Sequence, residues 1–516
     1  MVWEPEIEEL HRRQELARRM GGPEKVARQH ANGRLTVRER IGKLLDAGTF
    51  REVGSLAGQA RYADDGTLED FTPANFLFGR GRLNGRPVIV GGDDFTVRGG
   101  AADAGIFQKQ IMAEQMANEL RLPIVRLIDG TGGGGSVKSY EAMGFTYVPF
   151  NPGWDWVVAN LATVPVVSLA LGPVAGLGSA RAVSSHYSMI VKGTAQMFIA
   201  GPAVVARIGP SLDKEDLGGA AVHTRAGAID DEVASEEEAF ERTRRFLSYL
   251  PSSVHEAPPR GARRDDPARR DDSLLSAIPR DRKQVYKIRP VIETLVDQGS
   301  FFEMGRRHGR SLVTGFARLD GWPVALIATD PFVFGGAWDA AAAQKLIRFV
   351  DLAETFHLPV VHLVDVPGFA VGPEAEKSAT IRHGARALAA VYQASVPWCS
   401  IILRRAFGVA GAGMMNHARL RYRYAWPSGD WGSLPMEGGI EVAYRAELEA
   451  APDPAARMAE IQARLERMRS PFRTAEHFSV EEIIDPRETR SLLCEFANLA
   501  APLRTPGLRG PAGYRP

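Results

Sequence analysis

Two glycine-rich segments contain the residue types from which an oxyanion pocket can be built. The first is VPVVSLALGPVAGLGSARA at residues 164–182, and the second is VPWCSIILRRAFGVAGAGMM at residues 396–415. Each begins with an apolar run of strand length, enters a glycine turn and continues in small residues that suit a helix start. The first backbone N–H groups of a helix have no intrahelical partner and can stabilise a developing negative charge on oxygen. The sequence therefore predicts two oxyanion pockets, one in each half of the chain.

The segments around these turns alternate between strand-like and helix-like patterns. From residue 79 onwards the apolar runs PVIVGG, LPIVRLID and VPVVSLAL alternate with helix-length segments, of which residues 103–120 form the clearest. Residues 4–20 read as an exposed charged helix, and residues 36–45 place Ile41, Leu44 and Leu45 at helical spacing. The alternation predicts βαβ units and an α/β fold with a largely parallel sheet.

An internal repeat relates the two halves. Residues 83–129 align without a gap to residues 319–365 at an offset of 236, with 20 of 47 positions identical. Outside this block, residues 38–54 align to 289–305, and ATVPVV at 162–167 aligns to ASVPWC at 394–399. A repeat of this length indicates duplication of a whole domain rather than a solenoid. We therefore expect the two halves to share one fold.

The composition predicts the domain boundaries and excludes several classes of function. Residues 255–272, HEAPPRGARRDDPARRDD, contain little to bury and are predicted to link an N-terminal domain (1–254) to a C-terminal domain (273–516). A net charge of +1 gives no support to a nucleic-acid or membrane-surface role. The two cysteines, Cys399 and Cys494, are too few for a disulfide framework and are expected to be buried thiols.

Other sequence features exclude further classes of protein. The mixed-charge N-terminus lacks the pattern of a signal or transit peptide, and no apolar run reaches the roughly 18 residues of a membrane span, so we expect a cytoplasmic protein. No HExxH-type metal spacing and no GxSxG nucleophile turn is present, so no metal site and no serine hydrolase are predicted.

Further glycines lie where strands give way to loops. Gly99–Gly100 and Gly335–Gly336 each precede a helical segment, where they could admit a ligand or simply form a tight turn. Gly132, Gly133 and Gly134 follow the strand that ends at Asp129, but no Lys-Ser/Thr completes a P-loop. We expect this last loop to line a pocket at the carboxyl end of the sheet.

Several longer motifs resemble the carboxyltransferase (β) subunits of biotin-dependent acyl-CoA carboxylases, with the propionyl-CoA and methylcrotonyl-CoA types nearest. The resemblance covers nearly the whole chain, in order. The motifs are RQHANGRLTVRERIGKLLDAGTF (28–50), GPVAGLGSA (172–180), MFIAGPAVV (197–205), DLGGAAVHTRAGAID (216–230), VTGFARLDGWPV (313–324), LVDVPGFAVG (363–372), IRHGARAL (381–388) and YAWPSGDWGSLPMEGG (424–439).

This resemblance implies two tandem crotonase-like (ClpP/crotonase) domains in a homohexamer, a trimer of dimers. Acyl-CoA would lie along the first domain, biotin would enter along the second domain of a partner chain, and CO2 would pass from N1′-carboxybiotin to the acyl-CoA. No biotinylation motif or ATP-binding loop is evident, so the biotin carboxylase and biotin carboxyl carrier (α) subunit would be a separate chain. By carry-over, the backbones of Gly176, Leu177 and Gly178 would form the thioester pocket, and those of Gly408, Val409 and Ala410 the biotin pocket. Substrate-binding positions would be Gly132, Gly133, Gly134, Ala175, Gly335, Gly336 and Ala412.

Three positions depart from the family pattern. Leu177 and Val409 replace glycines, and Ala412 stands where many acetyl- and propionyl-CoA enzymes carry an Asp that controls acyl size. Ala412 should leave room for a larger or branched acyl group. Two alternatives stay open: a biotin-dependent acyl-CoA decarboxylase of the same architecture, and a crotonase-fold scaffold without catalysis.

Overall fold

A computed structural model of the chain describes residues 2–101, 104–130, 140, 141, 143–508, 514 and 516. The chain divides into two compact units, Met1–Glu256 with Gly507–Pro516, and Ala257–Pro506. Each unit contains one large sheet together with helices, which confirms the predicted α/β class.

The large sheet of the first unit has seven strands. Its first three strands pair antiparallel, and every later pairing is parallel. Strands Ile124–Ile128 and Val166–Ala170 are buried along their whole length, as continuous apolar runs predict for central parallel strands. In sheet order the strands are Arg51–Val53, Phe76–Leu83, Arg86–Asp93, Ile124–Ile128, Val166–Ala170, Tyr187–Val191 and Asp231–Val233. Two smaller pairs join Gly58–Tyr62 to Leu68–Pro73 and Pro173–Ala175 to Gln196–Phe198.

The second unit repeats this arrangement in an eight-stranded sheet. Again two antiparallel pairings come first, and the remaining pairings are parallel. The main path runs through Phe302–Met304, Leu312–Leu319, Trp322–Thr329, Val360–Val366, Trp398–Phe407, Tyr422–Ala425 and Glu482–Ile483, with Asp430–Gly432 pairing beside Trp398–Phe407.

Side-chain caps set where several helices begin. Thr36 and Glu39 form a reciprocal capping box at the start of Val37–Leu44, and Asp339 accepts from the Ala342 N–H at 2.7 Å. The first unit's helices are Glu4–Arg18, Pro23–Ala31, Val37–Leu44, Phe107–Leu120, Trp154–Thr163, Leu177–Val183, Pro202–Val205, Lys214–Gly218, Ala220–Ala226 and Glu236–Ser248. The second unit's helices are Ile288–Leu295, Ala340–Thr355, Pro373–Lys377, Thr380–Gln393, Gly408–Ala412, Met436–Ala443, Arg445–Ala450, Pro454–Glu466, Pro471–Glu476 and Thr489–Ala500.

Polar contacts recur at positions that the repeat makes equivalent. Asp46 accepts hydrogen bonds from the turn N–H groups of Asn84 and Gly85, at 3.0 and 2.7 Å. In the second unit Asp297 accepts from Asp320 and Gly321, at 3.1 and 2.8 Å. Likewise, Arg38 pairs with Glu52 and Arg289 pairs with Glu303, both at 2.9 Å. The duplication therefore preserved specific hydrogen bonds as well as the strand order.

The segment predicted as a linker uses its own arginines to form ion pairs and hydrogen bonds with residues of the second unit. Arg260 and Arg263 both pair with the buried Asp320 carboxylate, and Arg269 donates to the Thr294 carbonyl at 2.9 Å. Residues from Ala257 onward accordingly group with the second unit. At the other end of the chain, Gly507 donates to the Val254 carbonyl at 2.7 Å, and the terminal residues group with the first unit.

A buried carboxylate lies at the end of the central strand Val360–Val366. Asp365 accepts from Arg404 Nη2 at 2.9 Å and from Arg405 Nε at 2.6 Å. Burial alone would raise the pKa of Asp365, but the hydrogen bonds and charges of Arg405 and Arg404 hold it below its usual value. Asp365 is therefore a fully ionised partner of two guanidinium groups.

His362, on the same strand, is buried without charge. Its Nδ1 lies 3.0 Å from the Met414 carbonyl, which can only accept, so Nδ1 bears the proton. Nε2 is buried with no hydrogen-bond partner among the described residues. Burial lowers the pKa of His362 to about 4, because a protonated ring would place an unsatisfied N–H in the core.

Substitution Asp365→Asn should destabilise the protein strongly. It leaves the buried Arg404 guanidinium without a counter-charge, which typically costs about 3–5 kcal/mol. The control is Asp485→Asn, because Asp485 pairs with Arg487 on the surface. Urea unfolding followed by tryptophan fluorescence measures both variants, and equal shifts of the midpoint would refute the expectation.

The protonation of His362 should make stability depend on pH. Between pH 6.5 and about 4 the unfolded state binds a proton that the folded state does not, so the free energy of unfolding falls as pH falls. The loss should reach about 3 kcal/mol near pH 4 relative to neutral pH. The variant His362→Asn keeps a donor near Nδ1 but does not titrate. A wild-type-minus-variant stability difference that stays constant from pH 7 to pH 4 would contradict this.

Candidate active site

The first glycine turn joins a strand pair to a short helix. The chain passes from Pro173–Ala175 through Gly176, whose φ is +58°, into the helix Leu177–Val183. This left-handed backbone conformation suits glycine. The Gly176 N–H is already bound to the Phe198 carbonyl at 3.2 Å. Among the described residues no hydrogen bond uses the N–H groups of Leu177 or Gly178, so these two are the donors open to a ligand.

The second glycine turn also has a glycine with a positive φ where a strand gives way to a short helix. Strand Trp398–Phe407 ends at Gly408, whose φ is +59°, and the helix Gly408–Ala412 begins there. Gly176 and Gly408 are equivalent at the offset of 232 that aligns ATVPVV with ASVPWC. The N–H groups of Val409 and Ala410 have no hydrogen-bond partner among the described residues. The predicted pair of equivalent turns is thus present in the structure.

The surroundings of the two turns differ. The first turn borders a cavity of about 50 Å3, with Leu177 half-buried at its edge. At the second turn the Val409 side chain is 57% exposed, and Ala412 is exposed with its carbonyl 2.9 Å from His417 Nε2. The cavity is lined by Asn75, Asp93, Gly100, Gly105, Ile106, Phe107, Gln110, Gly130, Leu177, Gly178 and Arg181.

Asp93 is a polar group of this cavity that the sequence reasoning missed. Its Oδ2 accepts from the Asp129 N–H at 3.2 Å, and the buried side chains of Asn75 and Arg181 line the same cavity. Burial raises the pKa of Asp93 more than the charge of Arg181 lowers it. The only sequence signal was an Asp-Asp pair directly after the strand-like run PVIVGG, at residues 93 and 94.

Of the other predicted glycines, some lie in tight turns of the structure and some lie outside the described residues. Gly336 has a φ of +91°, and a Cβ there would lie 2.8 Å from the Asp365 carbonyl oxygen; Gly100, its equivalent, would meet Gly130 Cα at 2.6 Å. The close approach that these glycines permit is therefore to the protein's own backbone. Gly335 has a φ of +62° in the same turn, and Arg405 Nη2 donates to its carbonyl at 2.6 Å. Gly132, Gly133 and Gly134 lie outside the described residues.

The structure brings Ala175 beside the first turn, where it pairs in register with Phe198.

Both cysteines are free and buried, as predicted. Within the described ranges, no three His, Cys, Asp or Glu side chains group closely enough to hold a metal ion. In the same part of the chain, no helix is long and apolar enough to cross a membrane.

Known proteins are similar to this chain in sequence across almost their whole length. The propionyl-CoA carboxylase carboxyltransferase subunit of Haloferax mediterranei is 34% identical over 498 residues, covering 96% of this chain and 95% of the relative. The methylmalonyl-CoA decarboxylase subunit alpha of Veillonella parvula is 32% identical over 489 residues, covering 94% and 93%.

A solved structure has the same fold over almost the whole chain. The transcarboxylase 12S crystal structure, described as a hexamer with methylmalonyl-coenzyme A and methylmalonic acid bound, superimposes with a TM-score of 0.88. It is 30% identical and covers 99% of this chain and 98% of its own. The neighbour confirms the predicted crotonase-like architecture. A family model, the carboxyl transferase domain, matches residues 28–505. The predicted resemblance is therefore confirmed: this chain belongs to the carboxyl transferase domain family.

Proposed function

We propose that this chain is the carboxyltransferase (β) subunit of a biotin-dependent acyl-CoA carboxylase, of the propionyl-CoA carboxylase type. It transfers CO2 from N1′-carboxybiotin to the α-carbon, or the vinylogous carbon, of a short or branched acyl-CoA. The observation that carries the proposal is the pair of equivalent turns whose N–H groups have no hydrogen-bond partner in the described part of the chain, together with a family match that spans residues 28–505.

The reaction develops negative charge on two oxygens. The thioester oxygen becomes an enolate oxygen, for which the N–H groups of Leu177 and Gly178 are the donors. At the second turn, the N–H groups of Val409 and Ala410 would hold the urea oxygen of carboxybiotin and would stabilise the negative charge that develops there. Carboxybiotin supplies the CO2 and afterwards a basic atom that accepts the α-proton. Fixed backbone dipoles stabilise both charges without reorganisation during the reaction.

Biotin would be carried on a separate biotin carboxylase and biotin carboxyl carrier (α) subunit. The exposure of Val409 and Ala412 fits a group that arrives on another protein. We further propose a homohexamer, a trimer of dimers, in the cytoplasm, with each site formed between the first domain of one chain and the second of its partner. The hexameric transcarboxylase neighbour supports this assembly.

Substitution Leu177→Pro should remove a catalytic donor at little structural cost. Proline lacks the N–H but is tolerated at the first position of a helix, which Leu177 occupies. We expect kcat to fall about 100- to 1000-fold, the usual effect of losing one oxyanion donor. The control Leu177→Ala shortens the side chain and keeps the N–H. Carboxyl transfer from the carboxylated carrier subunit is the assay, and equal rates for both variants would refute the role of this N–H.

A panel of acyl-CoA substrates tests the proposed function and its specificity. With the cognate biotin-bearing subunit, propionyl-CoA or a branched acyl-CoA should react faster than acetyl-CoA, because Ala412 leaves room beside the second turn. Ala412→Asp should reduce the rate with branched substrates more than that with acetyl-CoA.

Each remaining outcome of the panel identifies an alternative. A preference for acetyl-CoA would contradict the role of Ala412. Since the relatives include a decarboxylase subunit at 32% identity, transfer only from carboxyacyl-CoA to biotin would assign the reverse direction. A hexamer that binds CoA and transfers nothing would identify a scaffold.

A further inference from the structure

The carbonyl of Met414 is an unusual hydrogen-bond acceptor directly behind the second glycine turn. It accepts from His362 Nδ1 at 3.0 Å, from Trp398 Nε1 at 2.8 Å and from Ser400 Oγ at 2.9 Å. A carbonyl oxygen has two lone pairs, so three donors are more than satisfaction of a buried group requires. His362 and Ser400 are fully buried on neighbouring strands. The three side chains fix this carbonyl with respect to the sheet.

A related arrangement, with other donors and other acceptor carbonyls, occurs in the first unit. Arg126 Nη1 donates to the carbonyls of Arg181 and Ser184, at 3.1 and 2.6 Å, and Ser168 Oγ donates to the Arg181 carbonyl at 3.3 Å. These carbonyls lie at the end of the helix Leu177–Val183. Arg126 is itself held by two hydrogen bonds to the buried Glu114 carboxylate, at 2.7 and 2.8 Å.

The donors in the two units occupy equivalent positions of the repeat. Arg126 aligns with His362 at the offset of 236, and Ser168 aligns with Ser400 at the offset of 232. One buried site thus carries a charged arginine in one unit and a neutral histidine in the other. Both nevertheless donate to the chain just beyond the glycine turn. What the two units share is that buried residues at equivalent strand positions donate to backbone carbonyls at the end of the helix after the glycine turn, although the carbonyls themselves differ.

The contact matters because the helices behind the turns are too short to stay in place alone. They contain seven and five residues, well below the about 12–15 at which an isolated helix becomes even marginally stable. Each is fixed at its start by the preceding strand. At its far end, buried side chains of the sheet donate hydrogen bonds to the backbone. Oxyanion donors must keep their distance to the reacting oxygen closely, so loose helices would weaken both pockets.

On the basis of the proposed function, we propose that these hydrogen-bonding side chains are positioning residues for the two oxyanion turns. His362, Ser400 and Trp398 hold the Met414 carbonyl and so position the N–H groups of Val409 and Ala410. Arg126 and Ser168 act in the same way on Leu177 and Gly178. None of the five contacts the reacting atoms; each acts through the backbone that it fixes.

The experiment compares His362→Val with His362→Asn. Valine fits a buried strand but donates nothing, whereas the asparagine Nδ2 replaces the histidine Nδ1 as donor. Val361→Ala is the stability control: Val361 is the preceding residue of the same strand, is fully buried and faces the opposite side of the sheet. Ser168→Ala and Ser400→Ala remove one donor in each unit with minimal change of volume, and they keep the test decisive if His362→Val does not fold.

The readouts are kcat and KM for carboxyl transfer to the best acyl-CoA, together with Tm. We expect His362→Val to lower kcat at least tenfold and each serine variant to lower it about threefold, with KM for the acyl-CoA within twofold. His362→Asn should recover most of the rate. Val361→Ala should lower Tm without a matching loss of kcat.

The outcomes separate this inference from the proposed function. An active wild type whose His362→Val and serine variants lose no more rate than Val361→Ala would overturn the positioning role alone. Failure of His362→Asn to exceed His362→Val would also overturn it. A wild type that transfers no carboxyl group to or from any acyl-CoA would overturn the proposed function, and the positioning role with it.

Discussion

Each unit must neutralise a buried carboxylate at the end of a central parallel strand. Asp129 and Asp365 occupy this place at equivalent positions of the repeat, and neither is exposed to solvent. Burying an unpaired carboxylate costs far more than a protein's total stability, so each needs cationic partners. The first unit supplies Arg34 and Arg40, and the second supplies Arg404 and Arg405.

The two units take these arginines from different parts of the chain, and this difference determines which residues surround each glycine turn. Gly172 aligns with Arg404, and a Cβ at Gly172 would lie 2.0 Å from Asp129 Oδ1. The chain just after strand Val166–Ala170 therefore has no room for a side chain at this position, and the arginines of the first unit come from the N-terminal segment instead. In the second unit the strand itself carries both arginines, and Arg405 also donates to the Gly335 carbonyl. The arginines that pair with Asp129 thus connect the N-terminal helices to the first sheet. In the second unit Arg405, which pairs with Asp365, connects the Gly335–Gly336 turn to the sheet.

The features that could be predicted from the sequence are those that depend on local residue patterns and on the internal repeat. The α/β class, the two equivalent glycine turns and the buried cysteines required no knowledge of distant contacts. By contrast, the bond from the Gly176 N–H to Phe198 and the cavity at Asp93 depend on which loops meet in space. The segment at 255–272 has the composition of a linker, yet its arginines pair with Asp320, some 60 residues away along the chain. Composition gives the number of charges in a segment but not the location of their partners.

The differing environments of the two turns follow from the reactants that they would serve. A thioester diffuses freely and gains from a pocket that removes water from the enolate, which suits the cavity beside Leu177 and Gly178. In the proposed reaction biotin would arrive on a protein and leave again after each transfer, which suits the exposure of Val409. The side chains that donate to the backbone behind each turn also differ between the two units. The first relies on an arginine–carboxylate pair: burial would raise the pKa of Glu114, but the charge and hydrogen bonds of Arg126 hold it below its usual value. The second relies on a histidine whose pKa is lowered by burial. Because both supports end in a hydrogen bond to a backbone carbonyl, the duplicated fold could change the charge behind a turn without losing the geometry of its donors.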